Sequence, residues 1–252
     1  MILIGTSGWS YKHWMNRFYP TGLAPREQLT YLSRHFPTVE LNASFYRLPP
    51  ESNFAKWRDD TPDGFKFSVK VPRVITHLKR LAGVGDDWRA MLVAVTPLAD
   101  KVAVFLCQFP PSFRATDETV GRLRDFLTVS RGVRIALEFR HATWFADEVL
   151  AELARQQACV VHADSSRYPH TPDEYAAADF RYYRLHGPRQ LYASQYTDQE
   201  LEYWAGLIRA DVVDGRDSFA YFDNDFQGYA IEDAKRLTQK AQGSPALDDG
   251  AG

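Results

Sequence analysis

The sequence predicts a single α/β domain folded as a TIM-like (β/α)8 barrel, on three observations. Short apolar runs alternate with amphipathic helical segments along the chain, an order that requires parallel strands joined by crossover helices. Eight such strand units fall within 252 residues, which suits a closed barrel. No glycine-rich phosphate turn follows an early strand, as a doubly wound open sheet would need. Gly5-Thr6-Ser7-Gly8 runs into Trp9, Tyr11 and Trp14 instead of a helix.

Ile2–Gly5 is the first strand. Pro25, suited to a first helical position, opens a helix with Leu29, Leu32 and Phe36 on its apolar face. Thr38–Phe45 is the second strand, followed by a short helix with Phe54 and Trp57 on one side. Phe65–Val71 is the third. Trp88, Met91, Leu92 and Val95 then repeat at helical spacing until Pro97 ends the helix. Lys101–Phe109, the fourth strand, is almost continuously apolar, as a strand buried on both faces should be. Thr116 caps a helix carrying Val120, Leu123 and Leu127. Arg134–His141 is the fifth strand, and Val149, Leu150 and Leu153 mark the helix after it. Cys159–Asp164 and Phe180–Gly187 are the sixth and seventh strands. Thr197 and Glu200 form a capping box ahead of Leu201, Trp204 and Ile208. Ser218–Asp225 is the eighth strand. A last helix, Ile231 to Lys240, completes a domain of residues 1–242, and Gly243–Gly252 reads as a flexible tail.

Composition narrows the functional classes. With 45% hydrophobic and 25% charged residues the chain is neither disordered nor fibrous, and a net charge of −2 gives no global attraction to a polyanion. Cys107 and Cys159 lie in apolar runs and read as buried, reduced thiols. No window approaches the about 20 apolar residues of a membrane span, and the first residues lack a signal peptide's basic start. The expected location is cytoplasmic, with no membrane partner.

Strand parity selects the candidate site. Alternate strand residues face the barrel interior, and the apolar set should meet the helices. The inward set is then Glu40 and Asn42, Lys66, Ser68 and Lys70, Gln108, Glu138 and Arg140, His162 and Asp164, Tyr182, Arg184 and His186, and Phe222 and Asn224. Most of its polar members fall late in their strands, at the end where barrel enzymes build active sites. Charges gathered there are costly unless paired or solvated. Glu138 and Asp164, on adjacent strands, are placed to share a substrate atom as acid and base. The alternative is that each pairs with a cation, Arg140 or Arg184, which would depress both pKa values. Glu138, His162, Asp164 and His186, with Glu40, are also oxygen and nitrogen donors of the kind that hold a divalent metal, although no helical histidine motif accompanies them. Around them the mouth is basic (Arg47, Lys70, Arg73, Lys79, Arg80, Arg140, Arg184, Arg189) and aromatic (Trp9, Tyr11, Trp14, Phe45, Tyr46, Trp144, Tyr192, Tyr196), with His77 in the loop after the third strand. Arginines and rings together suit an anionic ligand bearing a ring.

Several segments resemble a known family. Gly5-Thr6-Ser7-Gly8-Trp9-Ser10-Tyr11 with Phe18-Tyr19-Pro20, Val39-Glu40-Leu41-Asn42-Ala43-Ser44-Phe45-Tyr46-Arg47-Leu48-Pro49, and Phe67-Ser68-Val69-Lys70-Val71-Pro72 with Ile75-Thr76-His77 are similar to signatures of the YecE-like proteins, domain of unknown function 72. So are Gln108-Phe109-Pro110-Pro111-Ser112-Phe113, Glu138-Phe139-Arg140-His141 with Trp144, Arg184-Leu185-His186-Gly187 with Tyr192 and Tyr196, and Tyr221-Phe222-Asp223-Asn224-Asp225. The resemblance runs in order from Ile4 to Ala234 and implies a TIM-like barrel without an established activity. One departure is Asn16, where the family pattern has a glycine ahead of Phe-Tyr-Pro.

Three functions follow as expectations. The first is an enzyme acting by acid–base chemistry on a small anionic, phosphorylated or ring-bearing substrate. Glu138, Asp164 and His186 would be catalytic. Trp9, Tyr11, Glu40, Asn42, Tyr46, Lys70, His77, Gln108, Arg140, Arg184, Tyr192 and Asn224 would bind substrate. The second is a divalent-metal hydrolase or isomerase. The third is a non-catalytic barrel that binds a ligand or single-stranded nucleic acid, a partner that the net charge disfavours. The sequence requires no cofactor and leaves the oligomeric state open.

Overall fold

The computed structural model describes residues 1–243. Its strands are β1 (Ile2–Ser7), β2 (Thr38–Leu41), β3 (Lys66–Lys70), β4 (Val102–Gln108), β5 (Ile135–Glu138), β6 (Cys159–Val160), β7 (His162–Asp164), β8 (Phe180–Leu185) and β9 (Asp217–Phe222). All pairings are parallel, in the order β6-β5-β4-β3-β2-β1-β9-β8-β7. The expected sixth strand is two segments. Val160 pairs with Leu137 of β5, His162 pairs with Tyr183 of β8, and Val161 between them still donates to the Leu137 carbonyl at 2.9 Å. This one broken strand serves both ends of the sheet and brings the barrel nearly to closure.

Helices α1 (Gln28–Ser33), α2 (Ala43–Tyr46), α3 (Glu51–Asp59), α4 (Gly85–Val95), α5 (Asp117–Val129), α6 (Asp147–Arg155), α7 (Asp198–Val213) and α8 (Tyr229–Gln242) accompany the strands. The predicted caps form. The Thr116 hydroxyl accepts from the Thr119 amide, and Thr197 and Glu200 bond each other's backbone at the start of α7. Two apolar cores result. One lies between sheet and helices and includes Leu41, Val69, Leu137, Leu185 and Phe222. The other fills the barrel and includes Leu3, Leu106, Ala136, Val161, Tyr182 and Tyr221. Gly5 allows β1 to approach β2, since a Cβ there would lie 2.2 Å from the Thr38 carbonyl oxygen.

Several boundaries differ from expectation. β2 stops at Leu41, and the expected strand end becomes α2, pinned where the Ser44 hydroxyl donates to the Lys70 carbonyl at 2.5 Å. β5 stops at Glu138. His77 lies in a π-helical turn, Val74–Leu78, not an irregular loop. Asn16 has φ 62, a left-handed conformation that glycine adopts freely and asparagine tolerates better than most other side chains. Apart from its cap residue Gly243, the expected C-terminal tail lies outside the described residues.

Candidate active site at the barrel mouth

Register places most of the expected polar residues inside the barrel. Ser7 lies beside Glu40, Glu40 beside Ser68, and Gln108 beside Glu138. Arg184, on β8, is the hub and is 1% exposed. Its Nε and Nη2 donate to the two Glu40 carboxylate oxygens at 2.9 and 2.7 Å, and Nη1 donates to Glu138 Oε2 at 2.6 Å. Nη2 also reaches Asp223 Oδ2 at 3.3 Å. Glu40 accepts further bonds from Ser7 Oγ at 2.5 Å and the Tyr182 hydroxyl at 2.8 Å. Asn42 donates to Ser7 Oγ at 2.9 Å. Arg140 Nε donates to Glu138 Oε1 at 2.9 Å, and its guanidinium lies 4.5 Å over Tyr168. A planar guanidinium satisfies several carboxylates as an ammonium could not.

His186 lies between two carboxylates, with Nδ1 3.0 Å from Asp223 Oδ2 and Nε2 3.6 Å from Glu138 Oε1. Burial and Arg184 push it toward the neutral form. The bonds and charges of Asp223 and Glu138 outweigh them and raise its pKa above the ordinary value. At Glu138 burial is likewise outweighed, here by Arg184 and Arg140, and the carboxyl is held well below its usual range. Of the two readings open for Glu138, the structure has the ion-paired one.

Two strands are out of step with the parity argument. In β7, Ala163 pairs with Arg184 and faces inward, while His162 and Asp164 lie beside Tyr183 and Leu185 and face the helices. His162 Nε2 meets the Tyr175 carbonyl at 3.0 Å, and Asp164 is hydrogen-bonded to Tyr196. Asp164 therefore does not meet Glu138. The segment Cys-Val-Val-His-Ala-Asp misleads because the narrow interior takes its small residues, Cys159, Val161 and Ala163. In β9, Phe219 and Tyr221 face inward and Phe222 outward. Asn224 then serves the outer layer, donating to Asp233 at 2.8 Å and the Ser194 carbonyl at 3.0 Å. Asp223 takes the interior place the sequence reading gave to Asn224. The metal donor set falls with this correction. His162 and Asp164 point away, Glu40 and Glu138 are clamped on a guanidinium, and no three His, Cys, Asp or Glu among the described residues stand together as ligands.

Above this lattice lies a cavity of about 310 Å³ lined by Asn42, Phe45, Tyr46, Lys70, Arg184, Tyr192, Asp223 and Asp225. Lys70 differs from the interior arginines. Among the described residues its Nζ has no carboxylate within 4.0 Å and no hydrogen bond to protein; it lies 4.5 Å over the Phe45 ring. Burial, with Arg184, lowers its pKa from 10.5 to about 8. His77, 5.0 Å from Phe45, is lowered to about 4 by burial and by Lys70, Arg140 and Arg73. That corner of the mouth carries surplus positive charge. Across the cavity, burial and Asp223 raise Asp225, whereas Asp223 is lowered because His186 and Arg184 outweigh its burial. Tyr192 is held at φ 64, a strained conformation for a bulky residue, with its ring 5.6 Å from His186.

The remaining expected residues fall outside the cavity lining. Tyr11 donates to the Ser7 carbonyl at 2.5 Å, Trp9 packs edge-on to Trp57 at 5.6 Å, and Gln108 is buried at the end of β4. Asp223 and Asp225 were missed as site residues, although both lie within the closing Tyr-Phe-Asp-Asn-Asp run. No helix among the described residues is long and apolar enough to cross a membrane.

Comparison with known proteins places this geometry in a family. UPF0759 protein YunF of Bacillus subtilis is 30% identical over 268 residues, covering 95% of this chain and 94% of that protein. UPF0759 protein YecE of Escherichia coli is 31% identical over 147 residues, 58% of this chain and 51% of that protein. A DUF72 family protein from Thermotoga maritima superposes with a TM-score of 0.84 at 26% identity, covering 96% of this chain and 100% of that one. One from Enterococcus faecalis gives 0.83 at 22% identity, over 97% and 96%. The family described as protein of unknown function DUF72 matches residues 3–249, and the chain belongs to it.

Proposed function

We propose that the protein is a cytoplasmic enzyme that performs acid–base chemistry on a small anionic polyol or ring-bearing metabolite bound at the barrel mouth. One observation carries the reading. The cavity is lined by Lys70, a cation with no ion-pair partner among the described residues, and by two aspartates, Asp223 and Asp225. An anionic group suits Lys70, where Arg140 and Arg73 add positive field that also keeps the His77 imidazole neutral. Hydroxyl groups suit the aspartates and Asn42, and Phe45, Tyr46 and Tyr192 offer ring faces. Lys70 is lowered and Asp225 raised on the same cavity, and such divergence separates a base from an acid. Two buried, free cysteines agree with a reducing compartment.

Thermal-shift and calorimetric titration with sugar phosphates and the matching free sugars tests the reading. Phosphorylated ligands should bind and free sugars should not. Lys70→Met should weaken binding by about tenfold, the loss of one charged contact. Equal response to both ligand sets, or unchanged affinity in Lys70→Met, overturns the reading.

A further inference from the structure

An amine in the position of Lys70 can attract an anion or react with it. We propose that Lys70 is an amine nucleophile that condenses with the carbonyl carbon of an anionic aldehyde or ketone held in the mouth cavity. The inference rests on the anion-binding reading above and deepens it by naming the reacting group.

The geometry separates Lys70 from every other cation placed inside the sheet. Arg184 is held by Glu40, Glu138 and Asp223, and Arg140 by Glu138. At the opposite end Lys66 donates to the Asp100 carbonyl, and Lys101 Nζ donates to the Arg58 and Thr61 carbonyls. Lys70 Nζ has neither kind of partner among the described residues, yet it opens onto a cavity of about 310 Å³. A lysine kept only to hold the fold would be expected to have a carboxylate or carbonyl partner. Its backbone is fixed by the Ser44 bond to its carbonyl, and the Phe45 ring supports the ammonium, so the amine is positioned without being neutralised.

The chemistry balances with the groups present. The nitrogen lone pair of neutral Lys70 attacks the carbonyl carbon, forming the C–N bond, and the C=O π pair moves to oxygen. Nitrogen loses its proton as oxygen gains one, giving a carbinolamine. A second proton reaches the hydroxyl, water leaves, and the C=N bond forms. No oxidant or reductant is required. Asp225, raised by burial and by Asp223, is the better proton donor of the two cavity aspartates. The lowered Lys70 supplies free amine near neutral pH that a solvated lysine does not. The anionic substituent would lie toward Arg140 and Arg73.

Borohydride trapping with glycolaldehyde phosphate, and with neutral glycolaldehyde as control, tests this. The hydride reduces an imine to a stable secondary amine, read by intact mass and peptide mapping. Adduct on Lys70 should exceed that on any other lysine by about tenfold or more, reflecting its larger free-amine fraction. Its rate should rise through pH about 8. The neutral aldehyde should label Lys70 more slowly. Lys70→Arg, which keeps the charge and cannot form an imine, should lose that adduct while its circular dichroism stays unchanged. Labelling that merely follows lysine exposure overturns the proposal. Calorimetry of the same phosphate without borohydride keeps the two readings apart. Binding with no Lys70 adduct removes the imine and leaves the anion site standing, whereas absence of both removes both.

Discussion

Replacing Lys70 with methionine should make the protein more stable, and by an amount that depends on pH. The amine falls from 10.5 in solvated lysine to about 8 in the fold. Each pKa unit corresponds to about 1.4 kcal/mol, so the buried charge costs about 3 kcal/mol when both states are protonated. Part of the amine faces cavity water, which reduces the expected gain in Lys70→Met to about 1–3 kcal/mol. Methionine keeps the length of the side chain and its contact with Phe45. The sign is that of a depressed base. Below pH about 8 both folded and unfolded states carry the proton and the cost is complete. As pH rises from there toward 10.5, the folded state gives up its proton first and the cost disappears. Urea denaturation of wild type and Lys70→Met at pH 7 and at about pH 9.5 should show a gap that shrinks by roughly half at the higher value. A variant less stable than wild type at pH 7, or a gap independent of pH, would refute the argument.

Arg184→Met should lose about 3–5 kcal/mol in the same urea assay, because Glu40, Glu138 and Asp223 then lack their shared cation. Arg184→Lys should recover little of that loss, since an ammonium cannot reproduce the fork. Glu138→Gln should destabilise at neutral pH; the gap should close as pH falls below 4.5 toward the depressed folded value, where wild-type Glu138 also takes up a proton. Histidine NMR titration should find His186 above 6.5 and both His77 and His162 near 4. Because His186 is raised, its contribution is present below 6.5 and is lost as pH rises through its folded value. Asp164→Asn should leave sugar-phosphate affinity within about twofold of wild type, since the carboxyl faces Tyr196 outside the barrel.

Legibility of the site in the sequence varied with how clearly each strand distinguishes its two faces. Ile-Ala-Leu-Glu-Phe-Arg separates apolar from polar positions cleanly, and Glu138 and Arg140 form the ion pair that this parity makes possible. Val-Glu-Leu-Asn does the same for Glu40 and Asn42. Cys159–Asp164 does not, because its inward residues are small and apolar while its outward His162 meets Tyr175 in the loop after β7 and its outward Asp164 meets Tyr196 in the loop after β8. In β9 the inward residues Phe219 and Tyr221 are as apolar as their outward neighbours, and the parity slipped by one. That slip selected Asn224, an outer-layer hydrogen-bonding residue, in place of Asp223. The break at Val161 was also invisible, since it arises from one strand having to serve two neighbours.

The way charge is distributed separates scaffold from site. Glu40, Glu138, Asp223, Arg184, Arg140 and His186 are linked to one another within hydrogen-bonding or ion-pair distance. Moving any one of them during a reaction would strand a buried charge, at a cost of several kcal/mol. Such a lattice is well suited to fixing positions and poorly suited to exchanging protons. Lys70 and Asp225 stand at its edge. Among the described residues the amine has no carboxylate within 4.0 Å, and the Asp225 carboxylate has one ion-pair contact, the partly exposed His13 imidazole at 3.5 Å. Both open onto the cavity, and burial shifts each toward its neutral form. Lys70 and Asp225 can therefore change protonation at the cavity without breaking an ion pair of this lattice. On the proposed function the chemistry therefore belongs to the rim, while Glu138 and Arg184, each 1% exposed, hold that rim in place.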